Sequence, residues 1–292
     1  MQIIEAKARQ LVTVPLGVGE SPVWDEAQDR LLFVDIVAPA LYAFTPANGD
    51  LKRWEMPAPI GSFGLCADGR ALLALQTGLH FFDFATAKLE SFLHPEPDRP
   101  DNRLNDGKVG PDGRFWVGSM DASGALRPTG ALYRIDAAGG STKMVEGLIV
   151  SNGLAWSPDG RTLYHSDSRQ RFLSAYDYDL ATGDIGNRRE LRRFAEEDGR
   201  PDGAAMDAEG FYWSAGVSAG CLNRIAPDGT IERKLRLEVP APTMPCFGGP
   251  GLRTMYLTSL STDRTGTQVA GTLLELDVGV AGAPVGRFGE RA

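Results

Sequence analysis

The sequence predicts an all-β fold, a six-bladed β-propeller of four-stranded blades, and three observations carry that prediction. One turn-and-strand grammar recurs six times, the apolar residues within it repeat with the two-residue period of strands, and glycine (35) and proline (19) are abundant. The repeats read SPVWDEAQDRLLFVDI, FGLCADGRALLAL, DGKVGPDGRFWVGSM, GLAWSPDGRTLYHSD, GAAMDAEGFYWSAG and FGGPGLRTMYLTSL. Each opens on a small-residue apolar strand, passes a glycine-bearing turn and enters an aromatic or β-branched strand. A further strand of alternating character follows most of them, as in LYAFTP, ALYRIDAAG and LSAYDYDL. The unit is about 43–50 residues, the length of a four-stranded blade. Helical repeats of that length would place apolar residues every three or four positions, and none do. The first residues, IIEAKARQLV, are expected to form the outer strand of the last blade and close the ring, which would otherwise leave two open sheet edges. No linker interrupts the pattern, so residues 1–292 read as a single domain, with 196–200 a polar loop inside a blade.

Composition excludes several functions. At 42% hydrophobic and 23% charged residues the chain reads as globular, with enough apolar material for a sizeable core. Its net charge of −8, without long runs of either sign, argues against a nucleic-acid surface and against a cationic membrane patch. The opening MQIIEAKARQLVTVPLGVGE lacks the apolar core of a secretory signal, and no stretch approaches the ~18 apolar residues of a membrane span. Cys66, Cys221 and Cys246 are odd in number and unpaired in spacing, which points to a reducing, cytoplasmic setting without a disulfide framework. A closed propeller is expected to be a monomer.

Aligning the six units on their inner strands brings one position into focus. Four residues before Trp24, Val109, Trp156 and Met206 stand Glu20, Asn105, Asn152 and Asp202. The same register gives Ser62 before Cys66 and Cys246 before Pro250. Inner strands line the channel, so these residues form a ring at one height, with strong oxygen donors on four of the six blades. Converging carboxylates repel unless a cation offsets them, and an oxygen-only set without clustered imidazole or thiolate favours calcium, magnesium or manganese. A turn role for Asp202 is redundant, because Asp207-Ala208-Glu209-Gly210 already supplies its blade's turn.

The elements GESPVW (19–24), RLNDGKVGPDGRFWVGSM (103–120), SNGLAWSPDG (151–160), PDGAAMDAEGFYW (201–213) and PCFGGPGLRTMYLTS (245–259) together resemble the SMP-30/gluconolactonase family, in the right order and over nearly the whole chain. The resemblance implies a six-bladed propeller holding one divalent ion on a Glu, an Asn and an Asp, here Glu20, Asn152 and Asp202. Calcium is the leading ion, with magnesium, manganese, zinc and iron as alternatives. It implies further that the Arg and Asn of the R-x-N-D-G motif, Arg103 and Asn105, contact substrate. Where regucalcin in that family carries acidic residues after this element, the chain reads Gly118-Ser119-Met120-Asp121-Ala122-Ser123. Asp121 is the acid left to contact substrate, and Ser123 stands near where a substrate-contacting Glu would be.

The expected activity is metal-dependent hydrolysis of a small-molecule sugar lactone to its sugar acid. In that reading the ion polarises the carbonyl, Asp202 activates water, and Arg103 and Asn105 orient the sugar. The rivals are a calcium-dependent phosphotriesterase-like hydrolase and a non-catalytic metal-binding scaffold. Gly216-Val217-Ser218-Ala219-Gly220 matches the nucleophile-elbow pattern but lies between two strands with no helix to follow. Of the three histidines, His165 follows a second strand of its blade near the channel, where a hydrogen-bonded structural role is favoured, with Asp167 beside it.

Overall fold

The computed structural model describes residues 1–264 and 267–290. Six blades succeed one another along the chain, five of them four-stranded sheets and blade five a sheet of five strands. Their inner strands are Gly19–Asp25, Ile60–Leu65, Asn102–Val109, Ser151–Trp156, Pro201–Met206 and Pro242–Gly248. In the first five blades the chain meanders outward through consecutive antiparallel strands. Among the described residues the helical turns are two short 3-10 segments, Glu196–Asp198 and Pro250–Leu252, and no α-helix is present. No helix is long and apolar enough to cross a membrane.

The first hairpin of each blade shows why the turn signals recur. Gly69, Gly113, Gly160 and Gly210 all take positive φ there, between 69° and 88°. Blade one has no glycine at this point and uses Asp29 at φ 46°, a residue type that tolerates the left-handed region better than most.

The core is a set of wedges between blades. Leu32, Val34 and Leu41 of blade one pack with Ile60, Phe63 and Leu73 of blade two, and five further clusters fill the other five interfaces. The opposite face of the same strand, Leu31 and Phe33, packs with Cys246 and Tyr256 of blade six. Strands buried on both faces read as continuous apolar runs rather than alternating ones, as in Arg30–Asp35 (RLLFVD).

Ring closure divides the N-terminal segment in two. Arg9–Gln10 pairs antiparallel with Leu274 and Glu275 and is the outer strand of blade six. Gln2–Glu5 instead pairs parallel with Arg233–Arg236, adding a fifth strand to blade five. The segment thus straddles the seam between blades. At the other terminus the chain crosses one end of the channel: Ala283 N donates to Met206 O at 2.9 Å and Phe288 N to Leu65 O at 2.8 Å. That end holds an apolar cavity lined by Val23, Val109, Met206, Phe247 and Val285. The polar end is the opposite one, at the heads of the inner strands.

Candidate functional site

Every inner strand carries a register break near its head. The irregularities fall between Glu20 and Val23, Ile60 and Ser62, Leu104 and Gly107, Asn152 and Ala155, Pro201 and Ala204, and Pro242 and Met244. A bulge re-aims the side chains beside it, and six at one level turn the strand heads toward the channel. In blade four the break is held by Gly153, at φ 64°. A Cβ there would stand 2.3 Å from the Tyr212 hydroxyl and 2.4 Å from Ser166 Oγ, while that hydroxyl donates to Gly153 O at 2.7 Å.

The resulting cavity is lined by Glu20, Arg103, Asn105, Asp106, Asn152 and Asp202, together with loop residues around them. Asn152 Nδ2 donates to Asp202 Oδ1 at 2.7 Å and to Ser168 Oγ at 2.8 Å. With its nitrogen committed in this way, the amide presents its oxygen as a ligand atom. Asn105 Nδ2 donates to Ser151 O at 2.9 Å, and Asn105 Oδ1 accepts from Arg103 Nη1 at 2.8 Å. Glu20 Oε2 accepts from its neighbour Ser21 N at 2.7 Å.

The electrostatics are those of a charge awaiting compensation. Burial raises the Glu20 carboxyl well above its ordinary range, and the nearby charges of Asp202 and Asp106 raise it further. Burial likewise pushes Asp202 up to about 7, Asp106 adding to the effect. Asp106 was not singled out in the sequence although it stands in the R-L-N-D-G run. It is raised by burial, its Oδ2 accepts from Leu154 N at 3.2 Å, and among the described residues its buried Oδ1 has no hydrogen-bond partner. Lys108 is equally buried and donates to Ala204 O at 2.5 Å from within the channel wall.

The ring is narrower than the alignment suggested. Ser62 is buried and donates to Asn105 O at 2.6 Å, leaving Gly61 to line the cavity. Cys246 belongs to the opposite, apolar end, opposite Tyr256 in its sheet. Thr243 is the blade-six residue beside Glu20, its hydroxyl donating to Gly19 O at 2.6 Å. In blade two the irregularity between Ile60 and Ser62 accounts for the slip of one residue. In blade six the inner strand ends at Gly248, so counting back from Pro250, in the turn beyond it, stops short of the strand head.

Asp121 stands apart from the group. Its Oδ1 accepts from Ser123 N at 3.0 Å and Ser123 Oγ at 2.6 Å, and its Oδ2 accepts from Arg127 N and Nε, both at 2.9 Å. Arg127 and Ser123 hold its carboxyl far below the usual range. The acid expected to meet substrate therefore anchors its own loop, which carries Leu126 to the cavity. Asp35 and Asp167 do the same at the matching position of blades one and four, Asp35 binding the amides of Gly17 and Val37 and Asp167 those of Ile149 and Arg169. His165 is fully buried, bonded through Nε2 to Ser151 Oγ at 2.8 Å, and burial lowers its pKa to about 3. Ser218 lies in a strand-to-strand turn and accepts from Arg200 N at 2.9 Å, so no nucleophile elbow forms.

Among the described residues no group of three His, Cys, Asp or Glu side chains converges as a metal cluster. The donors at this site are two carboxylates and an amide. Their character fits a hard divalent cation: acids of raised pKa, Glu20 buried and Asp202 half-buried, beside an amide whose oxygen is spare. Ser168, Arg169 and Arg200 also line the cavity and were not anticipated. They lie on loops and in no repeating register, so the strand alignment carried no signal for them.

Comparison with known proteins gives a consistent result. Residues 18–261 match the family described as the SMP-30/gluconolactonase/LRE-like region. The chain is 39% identical over 266 residues to 6-deoxy-6-sulfogluconolactonase of Pseudomonas putida, covering 89% of each. It is 36% identical to regucalcin of Xenopus laevis over 260 residues, 87% of this chain and 86% of the other. The crystal structure of a calcium-binding protein, regucalcin, from Agrobacterium tumefaciens superposes with a TM-score of 0.89 at 27% identity, covering 99% of this chain and 98% of that one.

Proposed function

This chain belongs to the SMP-30/gluconolactonase family, and on that premise we propose that it is a divalent-metal-dependent lactonase opening sugar lactones to sugar acids at the strand-head end of its channel. Relatives bearing lactonase names support the reaction class. The observation that carries the site assignment is the meeting of Glu20 and Asp202, two carboxylates from separate blades lining one cavity with the oxygen of Asn152 beside them. We assign Glu20, Asn152 and Asp202 as the metal ligands, with calcium first among the ions, in keeping with the calcium-binding description of the regucalcin relative. The bound ion would supply a Lewis acid that polarises the lactone carbonyl.

Asp202 is the base. Asn152 holds one of its oxygens at 2.7 Å, while the other makes no hydrogen bond among the described residues and is available to take a proton from water. The water oxygen adds to the carbonyl carbon, the ring C–O bond breaks, and the proton passes from Asp202 to the departing ring oxygen. Arg103 and Asn105, locked to each other at 2.8 Å and to Ser151 O, present a fixed set of donors to the sugar oxygens. That preorganised polar wall suits a polyhydroxylated substrate better than an apolar phosphotriester.

The test is acid release from five- and six-membered aldonolactones after chelation and ion restoration. Ion-restored opening that is lost in Glu20→Gln supports the reading. No acceleration over the spontaneous rate with any divalent ion would remove it.

A further inference from the structure

Three arginines line the cavity, Arg103, Arg169 and Arg200, and two of them have no role in the chemistry above. Elsewhere in this protein arginines are commonly held by carboxylates: Arg171 by Glu196 at 2.6 Å, Arg192 by Asp198 at 2.6 Å and Arg224 by Asp207 at 2.8 Å. Among the described residues the side chains of Arg169 and Arg200 make neither an ion pair nor a hydrogen bond. Their backbones, by contrast, are pinned. Arg169 N donates to Asp167 Oδ1 at 2.8 Å, and Arg200 N donates to Ser218 Oγ at 2.9 Å. Arg169 follows the second strand of blade four, and Arg200 immediately precedes the inner strand of blade five that carries Asp202. Both line the one cavity, Arg169 exposed and Arg200 half-buried.

Two guanidinium groups that line one cavity without a hydrogen bond or ion pair of their own repel each other, and an anion bound between them would lower that cost. The reacting lactone does not supply such an anion: its carbonyl belongs beside Glu20 and Asp202, and its ring hydroxyls are neutral. The planar fork of arginine matches groups that present paired oxygens. The protein as a whole carries a net charge of −8, so its distant field repels anions, and an anionic substrate needs local positive charge at the mouth to enter.

We infer that Arg169 and Arg200 form a subsite for an anionic substituent, so that the preferred substrate is a sugar lactone bearing a second acidic group remote from the lactone carbonyl. This rests on the lactonase reading and narrows it. The shared chemistry is a tetrahedral or planar oxyanion, met equally by a carboxylate, a sulfonate or a phosphate.

The experiment measures kcat/KM for neutral glucono-1,5-lactone and for its C6-carboxylate, C6-sulfonate and C6-phosphate counterparts, in wild type, Arg169→Gln, Arg200→Gln, the double variant and Arg200→Lys. The expected result is a wild-type preference of tenfold or more for at least one anionic lactone, and that lactone identifies the substituent. The preference should fall about tenfold for each arginine removed, be partly rescued by lysine, and shrink with added salt. Thermal midpoints check that the variants fold, and titration of the open-chain C6 diacid into each protein reads binding without turnover. If neutral lactone is opened but no anionic one is preferred, or the double variant keeps the preference, the subsite is overturned while the lactonase reading survives. If no lactone of any charge is opened, both fall.

Discussion

The side-chain amide of Asn152 donates to Asp202 Oδ1 at 2.7 Å across the junction between blades four and five. This one bond fixes the amide's orientation, frees its oxygen as a ligand and leaves the second carboxylate oxygen of Asp202 as base. Replacing Asn152 with alanine should lower both divalent-ion affinity and kcat/KM, each by about 10–100-fold, the usual consequence of losing an orienting partner at a metal site. Ion titration and kinetics on the same protein check this. A variant with full ion affinity would remove Asn152 from the ligand set.

Glu20 and Asp202 should be stability liabilities when no ion is bound, because burial raises both carboxyls and neighbouring acids raise them further, Asp202 and Asp106 acting on Glu20 and Asp106 on Asp202. Glu20→Gln and Asp202→Asn are expected to stabilise the chelated protein, each by on the order of 1 kcal/mol, while abolishing turnover. In excess calcium the order should reverse, because wild type alone gains the full binding free energy. Thermal midpoints with chelator and with calcium separate the two cases.

The same shift sets the sign of a pH dependence. A carboxyl raised to about 7 in the folded protein holds a proton that the unfolded chain has already released above about pH 4. Asp202 therefore favours the chelated fold at acid pH, and that contribution is lost as pH rises through 7. Comparing wild type with Asp202→Asn across pH 4–8 in chelator should show the variant's advantage growing with pH. An advantage that shrank with pH would contradict the burial of this group.

His165 acts in the opposite sense. Its folded pKa of about 3 lies below the ordinary value, so between about pH 6.5 and 3 the unfolded chain takes a proton that the fold refuses. Its contribution to stability is complete above pH 6.5 and declines by about 1.4 kcal/mol per pH unit below it. The imidazole resonances of His165 should not titrate between pH 8 and 5 by NMR. A midpoint within that range would place the ring in water and reopen a catalytic role.

Asp121 and Arg127 offer a test of loop anchoring against substrate contact. If Asp121 acts by holding the 121–127 loop, Arg127→Ala should reproduce most of the kinetic and stability change of Asp121→Ala, and the double variant should add little to either. A defect confined to Asp121→Ala, in KM alone, would return this acid to the substrate.

Gly153→Ala tests the bulge itself. The added methyl meets Tyr212 and Ser166 inside van der Waals distance at a positive φ. A loss of about 1–3 kcal/mol is expected, together with a fall in ion affinity as the neighbouring Asn152 shifts. Unchanged affinity in a folded variant would mean that the bulge does not position the ligand.

Local chemistry in the sequence determined the blade count, the strand character and four of the residues lining the cavity: Glu20, Asn105, Asn152 and Asp202. Those features repeat with the blade, and a repeat is legible because each copy solves the same problem of a turn followed by a strand buried on both faces. Tertiary structure alone decided the rest. A bulge moved Ser62 off the ring, since one extra residue changes which side chain meets the channel without altering the pattern along the strand. Cys246 falls short of it because its strand ends at Gly248, before the Pro250 from which the register was counted. The N-terminal segment split across the seam because two neighbouring sheets each offered it an edge. Asp121 turned to its own loop because Arg127, six residues on, reached it first. Asp106, Arg169 and Arg200 joined the site from positions without periodicity. Asp106 enters from the register break of its inner strand, while Arg169 and Arg200 depend on which loops the closed ring brings side by side, and spacing along a single chain does not encode that.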